Sequence, residues 1–238
     1  MKNHSMYGLP EVVKHCNNCL MTNQKPHSVN ETKSAMGAYK KGMTIHANGL
    51  CDACAYAEKK TTEINWDHRE KLLLEKLDKY RKSNGDYDCL VPGSGGKDSM
   101  MTAHLLKYKY GMNPLTATYS PLLYTQVGID NMQNWHNIGG FDNVLFTPNG
   151  RVSGLLAREA LFNLYHPIQP FKFGLKQFAS KIALKFDIEL VFYGEPAFEY
   201  GSSDTGGESK PDFERGWYVN DSDDIFISGM HIEKLKEK

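Results

Sequence analysis

Val91-Pro92-Gly93-Ser94-Gly95-Gly96-Lys97-Asp98-Ser99 stands between an apolar run, Tyr87 to Val91, and a helical pattern from Met100 to Tyr110. That order reads as a strand, a glycine turn and a helix start. Small residues let the backbone approach a ligand closely. The first N–H groups of a helix have no partner within it, and with the helix dipole they make an anion site. Ser94 and Ser99 add hydroxyls, and Lys97 adds a positive charge. Asp98 does not suit a bare phosphate. It suits Mg²⁺ carried by a nucleoside triphosphate, because Asp is a hard oxygen ligand.

Two common phosphate motifs do not fit. A Walker A loop would need Gly at position 91, which is Val, and Ser or Thr where Asp98 follows the lysine. The dinucleotide fingerprint would need a third Gly where Asp98 stands, counted from Gly93. What remains, Ser-Gly-Gly-Lys-Asp-Ser, resembles the PP-loop of the N-type ATP pyrophosphatases, Ser-Gly-Gly-x-Asp-Ser.

Outward from the loop, strands and helices alternate. Leu115 to Tyr119 reads as a second strand, Asp130 to Ile138 as a helix, and Val144 to Phe146 as a third strand. Ser153 is expected to cap a helix running to about Tyr165, and Lys172 to Phe186 reads as another. Ile188 to Tyr193, β-branched and aromatic, reads as a fourth strand. Such repetition predicts an α/β fold, a parallel sheet with helices on both faces. Ligands of these sheets bind beyond the carboxyl ends of the strands. Site residues are therefore expected at Gly93 to Ser99, Tyr119 to Tyr124, Thr147 to Arg151 and Gly194 to Tyr200. Tyr119 is counted among the nucleotide contacts, and Glu195 is a candidate for Mg²⁺ or substrate.

Four of the five cysteines form two Cys-x-x-Cys pairs, Cys16/Cys19 and Cys51/Cys54. Two tight knuckles in a polar segment predict a closed, structural Zn²⁺ site with four thiolates. Residues 1–62 then form a zinc-ribbon-like segment, with loops or a short hairpin between the knuckles. His15, His27 and His46 read as surface residues. Residues 63–85 read as a linking helix, started by Asp67 with Glu70 and stopped by Gly85, and residues 86–238 as the ATP-pyrophosphatase domain. Cys89, inside the first strand, reads as a small buried hydrophobe.

The 28 basic and 28 acidic side chains among 238 residues give no electrostatic case for nucleic acid as a partner. The start of the chain has no apolar signal core, and no run approaches a membrane span. A soluble cytoplasmic protein is expected.

The paired knuckles, the glycine loop and Tyr193-Gly194-Glu195 together resemble the N-acetyl sugar amidotransferase family, from about residue 16 to about residue 201. The resemblance implies a PP-loop fold of the adenine nucleotide alpha hydrolase type. It implies ATP-dependent, AMP-forming conversion of a sugar's acetamido group to an acetamidino group. The setting would be lipopolysaccharide or pseudaminic-acid biosynthesis, with a separate glutaminase subunit supplying ammonia and a nucleotide-linked N-acetyl sugar as substrate. Ser94, Gly95, Gly96 and Ser99 would hold the phosphates, Lys97 would stabilise charge, and Asp98 would organise Mg²⁺. Family members are usually longer than 238 residues, so a fragment, a split subunit or a trimmed variant is the expectation. The alternatives are a zinc-containing PP-loop enzyme that thiolates tRNA and a non-catalytic nucleotide-binding subunit.

Overall fold

β1 (Cys89–Pro92), β2 (Pro114–Tyr119) and β3 (Asn143–Phe146) form a parallel sheet in the order β1-β2-β3. Leu90 lies opposite Leu115, and Ala117 opposite Val144. The computed structural model describes residues 9–25, 42–194 and 226–238. The described residues form two compact units, 9–25 with 42–66 and 67–194 with 226–238.

In the second unit β1 is buried along its whole length, as a parallel strand covered on both faces must be. Its side chains alternate between two cores. Cys89 and Val91 pack with Leu77, Ala103, Leu106 and Trp135 on one face. Leu90 packs with Leu115, Ala117, Phe178 and Ile182 on the other. The first face is covered by α2 (Trp66–Tyr80), α3 (Lys97–His104) and α4 (Gln126–Asn137). The second is covered by α6 (Gln169–Lys185), against which α5 (Gly150–Leu164) packs. Helices therefore cover both faces of a parallel sheet.

The expected fourth strand is reduced to a single residue's pairing. Val191 bridges Leu90 in parallel, through Leu90 N–H to the Leu190 carbonyl (2.9 Å) and Phe192 N–H to the Leu90 carbonyl (2.8 Å). Ile188 and Leu190 bury in the two cores. The apolar run thus meets its burial demand without a ladder. It still lies on the side of β1 away from β2. The chain moves from β1 through β2 to β3 and then returns past β1, so the connections reverse direction beside β1.

Several helix ends differ from expectation. α4 begins at Gln126, capped by the Thr125 hydroxyl, which accepts from Gly128 N–H at 3.1 Å. Asn149 rather than Ser153 caps α5; its side-chain oxygen Oδ1 accepts from Arg151 N–H (2.9 Å) and Val152 N–H (3.3 Å). Asn reaches these first-turn donors as well as Ser does, and it stands where the chain leaves β3. Asp67 lies inside α2 rather than at its cap. α3 runs on through a π-helical turn, Leu105–Lys109.

In the first unit, α1 (Asp52–Thr62) begins at the second cysteine pair. It is mostly polar and carried no apolar stripe to betray it, although Asp52 in its first turn and Lys59 and Lys60 in its last complement the helix dipole. Among the described residues no helix is long and apolar enough to cross a membrane.

Candidate functional site

The glycine loop leaves β1 at the reversal of the sheet. Gly93 N–H still bonds the Ala117 carbonyl of β2 at 2.9 Å. Gly95 then takes φ +79°, where a Cβ would stand 2.9 Å from both the Asn131 carbonyl oxygen and the Met132 Cα of α4. The turn and the close approach both demand glycine. Gly96 is different: it is exposed, and a Cβ there would meet nothing within 4 Å. It is the N-terminal flanking residue of α3, with φ −70° and ψ 159°, and no side chain caps the helix.

The remaining loop residues fall around that helix start. Ser94 and Lys97 are exposed, Asp98 is half-buried and Ser99 is buried. Lys97 Nζ lies 2.5 Å from Asp98 Oδ1. The Ser99 hydroxyl donates back to the Gly96 carbonyl at 3.1 Å, and Thr102 donates to the Asp98 carbonyl at 2.9 Å. From the other side of β1, Gly194 meets the same helix start: its Cβ would stand 2.7 Å from the Asp98 carbonyl carbon. The loop thus lies at a reversal point of an open parallel sheet, the place where such sheets take ligands. An anion seated against Gly96 would meet a helix N-terminus, a lysine and the exposed Ser94 hydroxyl, while the Ser99 hydroxyl is committed to the Gly96 carbonyl.

Tyr119 ends β2 but turns into an aromatic cluster with Phe146, Phe171 and Phe178, at centroid distances of 5.6, 5.6 and 5.9 Å. Burial raises its phenol above the usual range. It also lines a small, mostly apolar recess with Leu122, Pro148, Ser153, Leu156 and Phe171. Glu195 lies outside the described residues, so the structure adds nothing to its candidacy.

In the first unit, the Sγ atoms of Cys16, Cys19, Cys51 and Cys54 all lie within 4.8 Å of one another. Cys19 and Cys51 Sγ are 3.6 Å apart. A tetrahedron with Zn–S bonds of about 2.3 Å has edges of about 3.8 Å, so the donor set and its size fit zinc. The first pair sits in a knuckle, where Leu20 N–H bonds the Cys16 carbonyl at 3.1 Å and Leu20 takes φ +61°. The second pair does not form the knuckle expected of it. Cys51 flanks α1 and Cys54 lies in its first turn.

Hydrogen bonds distinguish the four sulfurs. Backbone N–H groups of Cys19, Asn18 and Cys51 pull the Cys16 thiol down to about 6, against the effect of burial. Burial pushes the Cys51 thiol up to about 12, although Cys54 N–H donates to it. The Asn18 side-chain amide donates to Cys54 Sγ at 3.4 Å. Asp52, buried at the start of α1, accepts from Thr44 N–H at 3.1 Å and lies 2.9 Å from His46 Nε2. It ties the hairpin ahead of Cys51 to the helix that carries Cys54. Asn18 and Asp52 were not singled out in the sequence. Their one signal is adjacency to cysteine ligands.

No protein-family model matches the chain. A 70-residue stretch is 34% identical to the uncharacterized protein MJ1599 of Methanocaldococcus jannaschii, covering 29% of this chain and 25% of that one. The match therefore spans about a quarter of that relative.

Proposed function

We propose that the chain is a PP-loop ATP pyrophosphatase of the N-acetyl sugar amidotransferase type, with a structural zinc ion. One observation carries the reading. The Ser-Gly-Gly-Lys-Asp-Ser loop joins a buried parallel strand to a helix at the reversal of the sheet, and Gly96 leaves open space before the helix N-terminus. The Walker and dinucleotide alternatives lack their defining residues, as the sequence shows.

In this reading the β and γ phosphates of ATP lie against Gly95 and Gly96, with the Ser94 hydroxyl as a further donor; the Ser99 hydroxyl, which donates to the Gly96 carbonyl, would have to turn to join them. Lys97 stabilises the charge that grows on departing pyrophosphate. Asp98 offers the carboxylate for Mg²⁺, which neutralises phosphate charge when bound. The acetamido oxygen of the sugar attacks the α-phosphorus, the bond to the bridging oxygen breaks, and pyrophosphate leaves. Ammonia from a separate glutaminase then adds to the activated carbon and AMP departs. The protein's part is positioning and electrostatic stabilisation. Tyr119 and its recess are assigned to the nucleotide side of the crevice. The four thiolates hold zinc with no open position, which suits a structural ion.

A sulfur-transfer reading needs a reactive thiol near the loop. Cys89 is fully buried, and burial pushes its thiol up to about 12, which opposes that role. The amidotransferase reading is tested by incubating the protein with ATP, Mg²⁺, ammonia and nucleotide-linked N-acetyl sugars. AMP and pyrophosphate formed only with sugar, together with a sugar product in which NH replaces O, are expected. Formation of ADP, or of thiolated tRNA, would overturn it.

A further inference from the structure

The four sulfurs of the metal centre are unequally protected. Cys16 and Cys51 are wholly buried. Cys16 Sγ accepts from Asn18 N–H at 3.4 Å and from Cys51 N–H at 3.3 Å, and Cys51 Sγ accepts from Cys54 N–H. Cys54 is half-buried on a groove lined by Asn17, Leu50, Ala57 and Glu58, and it holds the Asn18 amide. Cys19 is the exposed one. Among the described residues no N–H group donates to its sulfur, which lies 3.6 Å from Cys51 Sγ and also meets the Cys54 side chain.

Each N–H···S bond withdraws electron density from a thiolate and so lowers its nucleophilicity. Burial also blocks approach. Both effects spare three ligands and leave the fourth, so attack by a soft electrophile or a peroxide has one preferred entry. We propose that Cys19 is the modification site of this protein: the ligand through which small electrophiles and hydroperoxides open the metal centre. The proposal rests on the zinc reading above.

With hydrogen peroxide, an electron pair of the Cys19 thiolate forms an S–O bond. The O–O bond breaks and hydroxide leaves, giving a sulfenic acid. The Cys51 thiolate, 3.6 Å from the Cys19 sulfur, then forms an S–S bond to it. The S–O bond breaks and a second hydroxide leaves. The two sulfurs together lose two electrons, and the peroxide gains them. Two of the four ligands are consumed, and the metal is released.

The test uses the full chain loaded with Zn²⁺, with metal stoichiometry measured first. One equivalent of N-ethylmaleimide is added, the protein is denatured, the remaining thiols are capped with an isotopically heavy reagent, and each cysteine is read by peptide mass. Cys19 is expected to carry the first label, at least about tenfold over Cys16, Cys51, Cys54 and Cys89. Asn18→Ala, which removes the amide from Cys54, is expected to raise Cys54 labelling towards that of Cys19. Peroxide is expected to release zinc to a chromogenic chelator and to yield a Cys19–Cys51 disulfide peptide. Labelling led by Cys54 or Cys89, or a Cys54 rate indifferent to Asn18→Ala, would overturn the proposal. Failure to bind zinc would instead overturn the metal reading, and the proposal with it.

Discussion

Gly194 presses against the backbone of Asp98: a Cβ on Gly194 would stand 2.7 Å from the Asp98 carbonyl carbon and 2.8 Å from the Ser99 nitrogen. The segment beside β1 therefore fixes the position of the helix that starts at the glycine loop. Neither partner is a side chain that can swing aside. Gly194→Ala is expected to cost about 1–3 kcal/mol, the range for overpacking a tight contact, read as a lower urea midpoint. It should also slow AMP formation by moving Asp98. An unchanged midpoint would show that the two backbones separate freely.

Gly96 gives the opposite outcome. Its φ of −70° suits any residue, and an added methyl meets nothing within 4 Å. Gly96→Ala is expected to leave stability within about 0.5 kcal/mol. The methyl nevertheless fills the space assigned to phosphate, so ATP affinity should fall at least about tenfold, or about 1.4 kcal/mol. Titration calorimetry with ATP and Mg²⁺ beside a denaturation curve reads both quantities. Retained affinity would place the phosphates elsewhere.

Cys89 packs in the core with Val91, Leu106 and Trp135. Cys89→Ala removes one buried sulfur and is expected to cost about 1 kcal/mol while leaving sugar-dependent AMP formation in place. Loss of turnover in a variant that folds would return sulfur chemistry to consideration.

His136 supplies a pH dependence whose sign is fixed. Burial lowers its pKa below the usual value, against a hydrogen bond with Asn143 that raises it. The unfolded chain therefore takes up the proton first as pH falls. The contribution to stability is complete above about pH 6.5, the unfolded value, and is lost as pH drops through the lowered folded value. Thermal midpoints should decline over that interval in the native chain and decline less in His136→Phe.

Metal removal should act locally. The core around the cysteines is small, with Cys16, Met43 and Cys51 as its buried members, so an ion held by the four sulfurs would supply much of the fold. A strong chelator, or Cys51→Ser, is expected to abolish zinc stoichiometry and expose the amides of residues 9–25 and 42–62 to hydrogen exchange. Amides of β1 and β2 should stay protected. Loss of protection in β1 would show that the two units share one cooperative transition.

The centre of the fold was legible because the constraints there are local. A buried β1 followed by Gly-rich turn and helix leaves few readings, and Leu90 and Val91 declare both faces of the sheet by their apolarity alone. The four cysteines were legible by spacing. What stayed hidden depended on partners distant in the chain. Ile188 to Tyr193 looks like a strand because core packing and sheet pairing favour the same residues, yet only Val191 bridges β1. α1 is polar and was masked by the expectation of a second knuckle. Ser153 and Asn149 are both good caps, and only the path of the chain out of β3 chose between them. Tyr119 was legible as the end of a strand, but its packing against Phe146, Phe171 and Phe178, from two other elements, was not.

The π-helical turn at Leu105–Lys109 bears on how the chain tolerates a change of length. Such a turn accommodates one residue more than an α-helix of equal rise, so it has the form of a tolerated insertion. Leu106 within it and Met112 after it bury in the same core. Shortening the chain by one residue at this turn would therefore restore an α-helical repeat where the same deletion in an unbroken helix would rotate every later side chain off its face.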